Sequence, residues 1–208
     1  MQNRCRRTST RILSALLLAV LVGACSHNDP LGPPTPTGAT VLGGPPMQST
    51  PPPPPGWKLQ PDIPKTQQQA QDIVIGYLRR TLQSLPPGTT LDTSRFSGGT
   101  NTVPCKDEVS GTPPLEFSTT GDLKPPPGID LTSIVSMIGE TWKSWGWHVY
   151  EREGFYKPNR FGYAPDGYSL SIEATSRPEY PPTLGGVSPC FPANLPNDRS
   201  PFPTVLTP

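Results

Sequence analysis

Histidine is nearly missing from this chain: His27 and His148 are the only two among 208 residues. No Cys-x-x-Cys pair accompanies them, so a zinc centre of Cys and His ligands is not expected. The sequence also contains no Walker loop, no Gly-x-Ser-x-Gly elbow and no His-Glu-x-x-His helix. Charge is thin as well, at 16% of residues. Of seventeen basic residues, Arg4, Arg6, Arg7 and Arg11 fall in the first 24 positions, which leaves thirteen against sixteen acidic ones. That balance excludes the basic stripe of a phosphate-tracking nucleic-acid binder and the polybasic patch that docks on anionic lipid. Nor is there an apolar run fit to cross a bilayer. The stretch Ile12 to Leu21 falls short of the roughly 20 residues a span needs.

That short run is informative for another reason. A basic n-region precedes it, and Val22-Gly23-Ala24-Cys25 follows. The order reads as a secretory signal peptide over residues 1–24. Small residues directly before a cysteine resemble a bacterial lipobox, in which the cysteine thiol receives a diacylglyceryl group and becomes the new N-terminus. Cys25 is therefore the expected lipidation site. Each buried acyl CH₂ contributes about 0.8 kcal/mol, and two or three chains hold a protein firmly. Arg6-Arg7 is followed by Thr8, Ser9 and Thr10 where twin-arginine export would want apolar residues, so general secretion is expected. The expected location is the extracytoplasmic face of the cell membrane, with the membrane itself as a partner through Cys25.

Cys5 leaves with the signal peptide, and Cys105 and Cys190 remain in a compartment where disulfides persist. A bridge between them closes a loop of about 86 residues, worth roughly 4.5 kcal/mol in the chain-entropy model. The alternatives are two unpaired thiols or half a metal site.

Proline is the commonest signal of all, with 32 residues. Thirteen lie within residues 26–64, including the run Pro51 to Pro55. Such sequence favours extended polyproline II at about 3.1 Å per residue and acts as a semi-rigid spacer. Residues 25–64 are thus read as a tether, and the second Pro-rich stretch, 192–208, as a disordered tail. One domain is expected between them, at 65–191.

Within that domain, Ala70, Ile73, Val74, Tyr77, Leu78, Leu82 and Leu85 recur at helical spacing between Thr66 and Pro86-Pro87-Gly88. Leu115, Phe117 and Thr119 alternate with polar neighbours as in a half-buried strand. Asp130 caps a second helix, whose apolar stripe runs from Leu131 through Ile138 and Trp142 to Trp145. Trp147 and Val149 open another strand. Asp166-Gly167 turns into Tyr168, Leu170, Ile172 and Ala174, the clearest alternation in the chain. Val187 to Phe191 is a last extended piece. The order predicts an α+β two-layer sandwich, with two helices on one face of a small mixed or antiparallel sheet.

Several of these features together resemble the small Lpp-type lipoproteins of the mycobacterial envelope, the LppA-like group in particular. The matching residues are Val22-Gly23-Ala24-Cys25, Pro104-Cys105, Trp145-Gly146, Asp166-Gly167-Tyr168-Ser169-Leu170 and Ser188-Pro189-Cys190. The resemblance implies an envelope protein with a disulfide-closed α+β domain. It carries over no catalytic residue.

Candidate chemistry is sparse. His148 is expected on the outer face of the sheet, opposite Trp147 and Val149, as a surface residue. Carboxylate pairs such as Asp107-Glu108 and Glu151 with Glu153 are expected to be solvated surface. Trp142 and Trp145 share the apolar stripe and are read as core. The segment 154–165 stands apart. Phe155, Tyr156, Phe161 and Tyr163 lie there with Lys157 and Arg160, in what reads as a loop between strands, and loops carry function more often than scaffolds do. These residues form the candidate contact loop. The expectation is a non-catalytic binding module for an envelope protein, glycan or lipid partner, with no cofactor and no metal. The rival is a carrier that holds an apolar ligand between helices and sheet. A third reading, an envelope hydrolase, would need His148 beside an acid.

Overall fold

The computed structural model describes residues 50–96, 100–105, 111–175, 177 and 180–208. The expected signal peptide, Cys25 and the Asp107-Glu108 pair lie outside them. No helix among the described residues is long and apolar enough to cross a membrane.

The first helix, α1, spans Gln67–Gln83 and starts where Thr66 accepts from the Gln69 backbone N–H. The second, α2, spans Leu131–Ser144, with Asp130 accepting from Thr132 and Ser133. Each cap satisfies backbone donors that the first turn leaves without partners, worth about 1 kcal/mol. Around the helices run β1 (Thr90–Asp92), β2 (Thr100–Pro104), β3 (Leu115–Lys124), β4 (His148–Tyr150), β5 (Asn159–Tyr163), β6 (Ser169–Glu173), β7 (Thr183–Val187) and β8 (Val205–Leu206). All pairings are antiparallel, and the order is β4-β5-β6-β7-β3-β1-β8 with β2 also paired to β3. The protein is an α+β sandwich with both helices on one face of an antiparallel sheet.

Burial explains the layer. Val74, Leu78 and Leu82 of α1 and Ile134, Ile138 and Trp142 of α2 meet Phe117, Leu170, Ile172 and Leu184 of the sheet, all at or near full burial. Each such aliphatic side chain contributes about 1.5–3 kcal/mol. The Trp142 indole Nε1–H donates to Thr81 Oγ1 at 3.0 Å, and that hydroxyl donates on to the Tyr77 carbonyl at 2.9 Å, so the buried tryptophan ties the two helices together. Close approach needs glycine here. A Cβ on Gly186 would lie 2.7 Å from Val74 and 2.8 Å from Leu170.

Three expectations are corrected. Residues 159–163 are not a loop but strand β5, paired with both β4 and β6. Its inward positions are Arg160, packed on Gly139, and Gly162, packed on Trp142 and Trp147, so no apolar alternation announces it. The stretch 192–208 is not a disordered tail. Leu206 is fully buried in β8 opposite Leu91, Phe202 packs on Phe117, and Gln67 and Gln71 of α1 donate to the carbonyls of Leu195 and Ser200. The end of the tether also belongs to the fold. Gln60 N–H donates to Pro165 O at 2.7 Å, Asp62 N–H to Asp166 O at 2.8 Å, and Pro64 is buried.

Candidate functional site

The helices leave the other face of the sheet free, and alternation assigns its residues. Register places His148, Tyr163 and Ser169 in one cross-strand row and Tyr150, Phe161, Ser171 and Gly185 in the next. A Cβ on Gly185 would meet the Thr119 carbonyl oxygen at 3.0 Å and the side-chain hydroxyls of Thr120 and Ser171 at 3.3 and 3.5 Å, in keeping with the outward side. The floor of this face is small and hydroxylated, and aromatic rings gather at its β4–β5 end.

The rings form one continuous ridge. Phe155 and Phe161 tilt together with centroids 4.7 Å apart, and the Arg152 guanidinium stands over both, at 4.9 and 4.7 Å. Arg152 Nη1 also reaches the Tyr163 hydroxyl at 3.5 Å. Tyr163 stacks on Tyr150 at 5.4 Å, Tyr150 lies 4.8 Å from His148, and His148 meets Trp57 at 5.6 Å. A cation over a ring face adds about 0.5–1 kcal/mol where exposed. Among the described residues Arg152 has no carboxylate partner, so the ridge keeps one cation unneutralised. Burial, followed by the hydrogen bond with Tyr150, pushes the Tyr163 hydroxyl up to about 12.

The other candidate residues are arranged differently. Lys157 pairs with Glu151 at 3.0 Å and Glu153 at 2.6 Å, and Arg160 pairs with Glu151 at 2.9 Å. The hydrogen bond from Lys157, then the charge and contact of Arg160, hold the Glu151 carboxyl below its ordinary range. These cations are tied up at the base of the turn. Tyr156 is 55% exposed and takes no part in the ring contacts. Of the six predicted contact residues, Phe155, Phe161 and Tyr163 come together, while Lys157, Arg160 and Tyr156 do not join them. Sequence reasoning missed Tyr150, Arg152 and Trp57. Tyr150 had a signal, since it alternates with Trp147 and Val149 on the side of His148; Trp57 had none, sitting in a Pro-rich spacer.

His148 faces outward as alternation requires, yet it is not a surface residue. Trp57 covers it, leaving 9% exposed, and its Nε2 has no hydrogen-bond partner among the described residues. Its ring neighbours are Trp57, Tyr150 and Tyr163.

Two further places hold polar groups. An open depression of about 480 Å³ lies between the start of α2 and Lys157, Thr175 and Tyr180. Its polar groups are already engaged, Asp130 with the helix cap and Lys157 with Glu151 and Glu153. Across the sheet from the β4–β5 end, just beyond β2, Cys105 and Cys190 form a disulfide with Cα atoms 6.1 Å apart. Glu116 of β3 lies beside it, and burial raises its carboxyl above the ordinary value.

No family model matches this chain, and no curated protein or solved structure matches it.

Proposed function

We propose that this chain is a lipid-anchored envelope protein that works by binding a partner through the aromatic ridge, not by catalysis. Diacylglyceryl attachment at Cys25 after removal of residues 1–24 would hold it on the extracytoplasmic face of the membrane, as the likeness to Lpp-type lipoproteins suggests. The Pro-rich residues up to about 56 serve as the spacer, and the ridge meets a protein, glycan or lipid component of the envelope.

The observation that carries this reading is the placement of Arg152 over both Phe155 and Phe161, continuous with Tyr163 and Tyr150, on the sheet face opposite the two helices. Tyrosine and arginine, here Tyr150, Tyr163 and Arg152, are among the side chains that most often dominate binding energy. The carrier reading has less support. The space it needs between helices and sheet is filled by Trp142, Ile138, Leu78, Leu170 and Ile172. The hydrolase reading has less still, because among the described residues His148 forms no ion pair with a carboxylate and its Nε2 has no hydrogen-bond partner.

Replacing Arg152, Phe155 and Phe161 together with alanine tests the proposal. Capture of a specific envelope component should be lost, while the core of Trp142, Leu170 and Ile172 keeps the fold. The same component captured by the variant at unchanged yield would contradict it.

A further inference from the structure

The disulfide sits within an unusual set of neighbours. Cys105 Sγ, Cys190 Sγ and a Glu116 carboxylate oxygen all lie within 4.8 Å of one another, with Cys190 exposed and the other two half-buried. The three come from three separate segments, and each segment is held without help from the sulfur bridge. Cys105 N–H donates to Pro114 O at 3.0 Å, just beyond the end of β2. Glu116 lies within β3, paired with Val103 of β2. On the Cys190 side, Leu115 and Phe191 exchange two backbone hydrogen bonds, at 2.9 and 2.7 Å, and Ser188 N–H donates to Phe117 O at 2.9 Å. Opening the bridge therefore leaves two thiols and a carboxylate facing one another, placed by the sheet.

We propose that reduction turns this place into a binding site for one thiophilic divalent cation, Zn²⁺ in class, held by Cys105, Cys190 and Glu116. The donor chemistry fits: thiolates select such ions, and a tetrahedral ion sits about 2.3 Å from sulfur and about 2.0–2.2 Å from a carboxylate oxygen. The exposed side of Cys190 leaves the fourth position to water. The steps balance. The S–S bond takes two electrons and two protons from a dithiol, which itself becomes a disulfide. The cation then displaces both thiol protons to solvent, forming two metal–sulfur bonds and one metal–oxygen bond. A chain with only two histidines conceals such a site from any search for Cys-His spacing, because its third donor is a glutamate brought in by strand pairing. The inference is independent of the ridge.

The test uses the full chain carrying Cys5→Ser and Cys25→Ser, so that only Cys105 and Cys190 supply sulfur. After reduction with a phosphine and exclusion of oxygen, Cd²⁺ is titrated while the ultraviolet thiolate-to-metal absorption and the far-ultraviolet circular dichroism are followed. The reduced protein should keep its dichroism and take up one Cd²⁺ per chain, which Zn²⁺ then displaces. The oxidised protein should show no such band. Glu116→Gln in the reduced form removes a direct ligand and should weaken binding by at least the roughly tenfold that loss of an outer supporting group costs. Absence of the band, equal affinity in Glu116→Gln, or loss of the folded dichroism on reduction would each overturn the proposal.

Discussion

Trp57 stands edge-on to His148, with ring centroids 5.6 Å apart, and its indole Nε1–H donates to the Tyr163 carbonyl at 3.2 Å. A tryptophan from a Pro-rich stretch thus closes the end of the aromatic ridge and covers an imidazole that would otherwise face water. The contact marks where the Pro-rich stretch joins the domain. Backbone bonds from Gln60 and Asp62 to Pro165 and Asp166 continue the attachment into α1.

Trp57→Ala should therefore cost about 1–2 kcal/mol, from one aromatic pair and one hydrogen bond. Urea unfolding would measure it, and His148 should become open to imidazole-modifying reagents. An unfolding midpoint equal to that of the wild type, with His148 still protected, would show that the spacer end is only resting on the domain.

The tyrosines set the behaviour in alkali. Tyr163 ionises at about 12 in the fold against an ordinary 10.0, and burial raises Tyr77 and Tyr168 further still. The unfolded chain loses these protons first, so each group's contribution is intact below about pH 10 and declines above it. Stability should fall steadily from about pH 10 to 12, and Tyr163→Phe should make the decline shallower. A pH series of urea midpoints measures this. A flat profile across that range would mean that the three hydroxyls are free to ionise in the fold.

How far the sequence reveals this molecule depends on which side chains carry the pattern. Both helices are legible to within two residues, because Ala70 to Leu82 and Ile134 to Trp142 keep helical spacing and Thr66 and Asp130 mark the starts. Strand β6 is legible because Leu170 and Ile172 alternate with Ser169 and Ser171. Strand β5 is not, since its core-facing positions are an arginine whose stem packs on Gly139 and a glycine cleared for Trp142. Strand β8 is only two residues long, among prolines, and Leu206 alone is its buried anchor. Of the site, the rings of Phe155, Phe161 and Tyr163 are legible as an aromatic cluster. Their assembly with Arg152, Tyr150 and Trp57 depends on strand register and on a contact 106 residues apart in the chain.

The proposed anchoring can be tested apart from the proposed binding. Cys25→Ala should move the exported protein from the membrane fraction to the soluble fraction and abolish incorporation of a clickable fatty acid, while the domain keeps its melting temperature. Membrane association that survives the substitution would mean the attachment lies elsewhere.

The central claim is that one face of this domain, and not the other, meets a partner. Phe155 on the ridge and Met137 on α2 are equally exposed, at 41% each, so they make a matched pair of probes. A photoreactive benzoyl-phenylalanine placed at position 155 should, on irradiation in intact cells, yield one discrete adduct of defined mass. The same residue at position 137 should yield none. Identical products from both positions, or an adduct from 137 alone, would contradict the account.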